Sequence, residues 1–121
     1  MRAVMYLAAA VNALGAYLFF PGAVSLRQFV GLTVEGHPFL FSVLSAFILI
    51  FGLAYLAAGL TGRADPMFLL VAAAGKLAFF YLAGAYWIAG AFPAIVPAGA
   101  SSDLIFALIF LWWLFRRRSV R

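Results

Sequence analysis

Lys76 is flanked by Ala72-Ala73-Ala74-Gly75 on one side and Leu77-Ala78-Phe79-Phe80 on the other, an ionisable side chain set in a long apolar run. A charge at the centre of a bilayer costs at least ~2.5 kcal/mol on insertion scales, so an ionisable residue there is a candidate for function by default. Lys76 stands ten residues past Pro66, which at ~1.5 Å of helical rise per residue is about 15 Å from that end of its helix. Asp103 precedes Arg116 by thirteen residues on the next apolar segment, about 20 Å from the same surface at the same rise. A lysine side chain bridges a difference of that size, and the spacing predicts a Lys76 to Asp103 contact between neighbouring helices. Asn12, nine residues after Ala3, falls at a similar depth, where an amide usually hydrogen-bonds across helices. Lys76, Asp103 and Asn12 therefore form the candidate polar node. Two uses are open to it: a binding or proton-handling site, or an internal fastener that sets helix register, with Asp103 serving instead as a helix cap near the outer surface.

Other chemistry is largely excluded by residue type. The absence of cysteine removes disulfides, thiolate metal sites and cysteine nucleophiles,. His37 is the only histidine, so a metal or haem site would need ligands from other chains. The three carboxylates, Glu35, Asp65 and Asp103, are too dispersed for paired acid and base work, and no GxSxG, HExxH, P-loop or GxGxxG pattern occurs,. No catalytic residue, metal ligand or cofactor is assigned, and the expectation is a protein that is not an enzyme. Tyr6, Tyr17, Tyr55 and Tyr81 either extend a polar network or pack at helix contacts with one wet tip.

Positioning these residues requires membrane-spanning helices. With 69% hydrophobic and 9% charged residues over 121 positions, the chain lies outside the composition of soluble domains,. About 20 helical residues cross ~30 Å of hydrocarbon, and four apolar stretches of roughly that kind occur at about 3–20, 38–60, 66–90 and 101–115. Pro38 and Pro66 suit first turns and Asp65 suits an N-cap; Ser101, Ser102 and Asp103 read as cap and first-turn residues of the fourth span, or that helix begins earlier, since Ala94 to Ala100 is also uncharged. The fold expected is all-α and integral to the membrane, a single domain of four transmembrane helices in an antiparallel bundle. Between the first two spans, Pro21 to His37 reads either as a short interfacial helix, from the spacing of Ala23, Val24, Leu26, Phe29 and Val30, or as an irregular loop over the bundle end. Arg2, the apolar run and Ala13-Leu14-Gly15-Ala16 imitate a secretory leader, but the run continues through Phe20, enough for a span. Small residues such as Ala9, Ala13, Gly52, Gly59, Ala74, Ala78 and Gly84 permit close helix approach.

Charge placement sets the expected orientation. Arg2, Arg63 and the tail Arg116, Arg117, Arg118 and Arg121 fall on one side, with Arg27, Glu35 and His37 on the other. The rule that basic loops stay inside places both termini and the 61–65 loop in the cytoplasm, with Trp112 and Trp113 in the inner aromatic belt and Tyr86 and Trp87 in the outer one. The net charge of +5 is concentrated in that 116–121 tail, which reads as a topology signal beside anionic lipid and not as a nucleic-acid surface.

Asn12, Phe19-Phe20-Pro21, Gly52-Leu53-Ala54-Tyr55, Gly75-Lys76, Asp103-Leu104 and Phe106-Ala107 together resemble small bacterial four-helix inner-membrane proteins of the DoxX-like kind, over nearly the whole chain. The resemblance implies a four-helix bundle and association with redox enzymes at the quinone pool, and it carries over no catalytic residue. The functions expected are binding of a hydrophobic small molecule, lipid or quinone between the helices, or service as an accessory subunit among membrane-protein partners. A transporter or proton pathway built from several copies of the chain comes third.

Overall fold

The computed structural model describes residues 1–32 and 36–120, with side chains through Arg116. Glu35, Arg121 and the side chains of Arg117 and Arg118, used above for orientation, lie outside the described residues. Five helices follow in order: α1 (Arg2–Phe19), α2 (Val24–Phe29), α3 (Pro38–Thr61), α4 (Pro66–Ile88) and α5 (Ile95–Val120). Arg2–Phe19, Pro38–Thr61, Pro66–Ile88 and Ile95–Arg116 are each long and apolar enough to cross a membrane, the make-up of a multi-pass membrane protein. Their outward faces carry large apolar side chains, among them Leu14, Phe47, Leu53, Leu70, Ile105 and Leu108. That much continuous apolar exposure is unfavourable in water but suited to lipid.

Two compact units divide the chain, Met1–Arg63 and Ala64–Arg121. In the first, α1 and α3 run antiparallel and close together. A β-carbon added at Gly52 would lie 3.1 Å from the Asn12 β-carbon and 3.6 Å from the Ala9 carbonyl oxygen, so glycine is what lets the backbones approach,. Two polar clasps hold this seam, Asn12 Nδ2 donating to the Ile48 carbonyl at 3.0 Å and Ser45 Oγ to the Ala16 carbonyl at 2.6 Å. Met5 and Ala8 of α1 and Tyr55 and Ala58 of α3 are buried. Of the two readings of the 21–37 stretch, helix is what forms at Val24–Phe29. It closes on Gly31 at φ 79°, with Gly31 N–H donating to Gln28 and Leu32 N–H to Arg27, a left-handed stop that favours glycine.

In the second unit, α4 opens as the sequence suggests. Asp65 accepts from the amides of Met67 and Phe68 at 2.8 and 3.4 Å, and Pro66 stands in the first turn. Asp65→Ala is expected to cost about 1 kcal/mol, the usual loss of an N-cap, seen as faster amide exchange in the first turn of α4 with little change elsewhere. The helix ends at Ile88, two residues before the expected boundary, because Gly90 at φ 84° turns the chain: Gly90 N–H donates to Trp87 and Ala91 N–H to Tyr86,. The 89–94 connection then folds α5 back along α4.

Of the two readings of the start of the fourth span, the earlier start is what forms. Helix α5 begins at Ile95, six residues ahead of Ser101, so Ser101, Ser102 and Asp103 are interior residues and not caps. Residues 94–100 carry no charge to favour a loop, and Pro97 falls in the first turn, where a missing amide hydrogen costs no helical bond. Ser101 and Ser102 donate back along the helix to the Ala98 and Gly99 carbonyls at 2.6 and 3.0 Å, which satisfies their hydroxyls inside the span.

Candidate functional site

On α4 the buried positions Leu69, Ala72, Ala73, Lys76 and Ala83 recur at intervals of three, four and seven residues, one stripe of the helix,. On α5 the matching stripe is Ala100, Asp103, Phe106, Ala107 and Phe110, of which Asp103 is half-buried and the rest buried. Alanines at 72, 73, 83, 100 and 107 leave room beside the two long polar side chains, and the hairpin sets Lys76 opposite Asp103.

The two side chains meet directly. Lys76 Nζ donates to Asp103 Oδ1 at 2.6 Å, with side-chain exposures of 7% and 16%. The ammonium also lies 5.2 Å from the centroid of the Phe106 ring, within range of a cation–π attraction. A single uncompensated charge at this depth is expensive, whereas an ion pair with a hydrogen bond recovers much of that energy in a low-dielectric surround. Asn12 is placed in the first unit, on the α1–α3 seam, donating to Ile48.

His37 is the N-cap of α3: its Nδ1 accepts from the Phe39 amide at 3.1 Å. Tyr55 is fully buried, whereas Tyr6, Tyr17 and Tyr81 are exposed.

Sequence reasoning passed over one residue. Arg27, read as a charge on the outer loop, is 6% exposed. Its guanidinium donates through Nη1 to the carbonyls of Leu18 and Phe20, at 2.9 and 2.6 Å, and through Nη2 to Pro21 at 3.3 Å. It also sits 4.6 Å over the Phe41 ring. The last carbonyls of a helix have no internal donor and carry the negative end of its dipole. A planar fork of five N–H groups fits them. The available signal was the position itself, the only arginine between Arg2 and Arg63, just beyond the Pro21-Gly22 break that ends α1.

No family model, curated protein or solved structure matches this chain. What the site can do follows from its own groups. The Lys76–Asp103 pair is neutral as a unit, lies within an apolar hairpin and has the Phe106 ring against it. With one carboxylate and one ammonium already bonded to each other, it is suited to orienting a polar group and poorly suited to acid and base catalysis, for which two independently tuned groups are needed. Among the described residues no three His, Asp and Glu side chains gather to hold a metal ion.

Proposed function

We propose that this chain is a bacterial inner-membrane protein of the DoxX-like kind, with four crossings of alternating direction and both termini in the cytoplasm. It binds a lipid-like molecule, a quinone or a lipid, whose polar head is oriented by Lys76 and Asp103, and it carries out no covalent chemistry. The observation that carries this reading is the buried Lys76–Asp103 contact inside a membrane-length hairpin. Ion pairs of this kind are often replaceable by apolar residues without loss of stability, so retaining one at the cost of two desolvated charges points to use as well as packing. The orientation is supported by Arg2, Arg63 and Arg116, which flank the ends of spans on one side of the alternating topology,.

Native mass spectrometry of the protein released gently from its own membrane, with organic extraction of what accompanies it, tests the reading. A stoichiometric quinone or lipid is expected, absent from the Lys76→Met, Asp103→Leu double variant. A defined complex with other proteins and no small molecule would replace this reading with that of an accessory subunit, and a bare chain would leave the pair as a fastener.

A further inference from the structure

The α1–α3 unit has an arginine at the carboxyl end of each of its two long helices, and the two are used differently. Arg27, at the end of α1, commits its guanidinium to the Leu18, Phe20 and Pro21 carbonyls. Arg2 lies at the end of α3, against the left-handed Gly62 that closes it. A β-carbon at Gly62 would fall 2.7 Å from Arg2 Nη2, 3.0 Å from Nε and 3.2 Å from Cζ, so the flat guanidinium occupies the room that glycine leaves. Tyr6 uses Gly59 in the same way, its ring 2.7 Å from where a β-carbon would stand. Arg2 and Tyr6 are four residues apart on α1, and Gly59 and Gly62 three apart on α3, so each pair shares one face of its helix. The negative end of the α3 dipole favours a cation at that point.

Arg2 is thus held in place while its N–H groups stay open. Among the described residues its side chain makes no hydrogen bond and no ion pair, and neither does that of Arg63, the residue after Gly62. Both arginines are exposed. The acid nearest in sequence, Asp65, turns Oδ1 to the Met67 and Phe68 amides of its own helix. Like charges gathered at one corner are relieved by an anion, and the guanidinium fork matches the paired oxygens of a phosphate. The adjoining surface of the two spans is apolar, with Tyr6, Leu7 and Leu60 39%, 59% and 62% exposed.

We propose that Arg2, with Arg63, forms a phosphate-binding corner at the end of the α1–α3 hairpin, and that its occupant is the headgroup phosphate of an anionic phospholipid. The corner is separate from Lys76 and Asp103 and does not depend on what they bind. A free phosphate would gain only the charged contacts, in competition with its own hydration. A phospholipid gains the same contacts and lays its acyl chains against the apolar surface of the adjoining spans.

The protein in a neutral maltoside detergent is titrated with dioleoyl phosphatidylglycerol, and bound lipid is counted by native mass spectrometry, with helical circular dichroism confirming that each variant is folded. Arg2→Gln should weaken the tightest binding roughly tenfold, the worth of one hydrogen bond between charged groups, and Arg63→Gln should weaken it severalfold. Arg2→Lys keeps the charge at the end of α3 but loses the fork, and should recover only part of the affinity. Arg118→Gln removes the same unit of charge from the tail and should change the affinity little. The Lys76→Met, Asp103→Leu protein should bind as the parent does. Equal losses from Arg2→Gln and Arg118→Gln, or full rescue by Arg2→Lys, overturn the corner in favour of general attraction to a basic protein. Loss of binding in the Lys76→Met, Asp103→Leu protein overturns it by moving the lipid to the ion pair. Displacement by millimolar inorganic phosphate, or equal binding of dioleoyl phosphatidylcholine, overturns the anionic phospholipid as the occupant.

Discussion

Lys76→Met alone is expected to destabilise the protein by about 3 kcal/mol, since it leaves the Asp103 carboxylate buried without its partner, the costly half of a broken ion pair. Asp103 would have to take up a proton or drag water and lipid head groups into an apolar hairpin, and both options cost energy at that depth. The measurement is a titration from mild detergent into a denaturing one, followed by loss of helical circular dichroism. Adding Asp103→Leu to Lys76→Met should recover most of the loss, because two apolar side chains of similar volume remove the uncompensated charge. The exchanged pair, Lys76→Asp with Asp103→Lys, should recover part of it. If the two single losses merely add in the double variant, the side chains are not energetically coupled and the 2.6 Å contact contributes nothing specific.

The same variants separate holding from binding. A fastener alone predicts that the double apolar variant is both stable and unaltered in what it carries. A head-group site predicts that it is stable but empty. Stability and ligand content thus move together in the single variants and apart in the double one.

The parts of this architecture set by hydrophobic run length and by local capping were legible in the sequence. Pro38, Pro66 and Asp65 mark helix starts because proline and an acidic cap act within one turn, and α3 and α4 begin there. Lys76 and Asp103 could be paired from rise per residue alone, since two antiparallel helices joined by a short turn fix depth almost arithmetically. The start of α5 stays open between two readings in the sequence because serines and an aspartate resemble a cap locally, and nothing in Ser101-Ser102-Asp103 reveals that residues 95–100 have already formed a turn that frees them for the interior. Gly90 as a helix stop was hidden for a related reason: in a span rich in glycine, only the backbone conformation distinguishes a stop at Gly90 from a glycine within the helix at Gly75 or Gly84. Asn12 was legible as a polar contact, but its partner, the Ile48 carbonyl, is a backbone atom and leaves no mark on residue type.

Arg27 shows the limit of reading charge as topology. Arg27→Leu is expected to cost about 3 kcal/mol, because three carbonyls at the end of α1 lose a charged donor together and hydrogen bonds to charged groups are each worth more than neutral ones. Hydrogen exchange should quicken through α2, which the guanidinium ties to Leu18, Phe20 and Pro21, while the Asp65-capped start of α4 stays unchanged. Arg27→Lys should restore only part of the stability: an ammonium keeps the favourable charge at the helix C-terminus but not the fixed fork that spans separate carbonyls, nor the flat face presented to Phe41,. Full rescue by lysine would mean that charge alone matters, and an unaffected Arg27→Leu would mean that water serves those carbonyls equally well. If the graded result holds, the arginine that counts by position against the other basic residues in setting orientation is mostly committed to the end of the preceding helix, α1, and the side facing away from the tail presents less free positive charge than the sequence suggests.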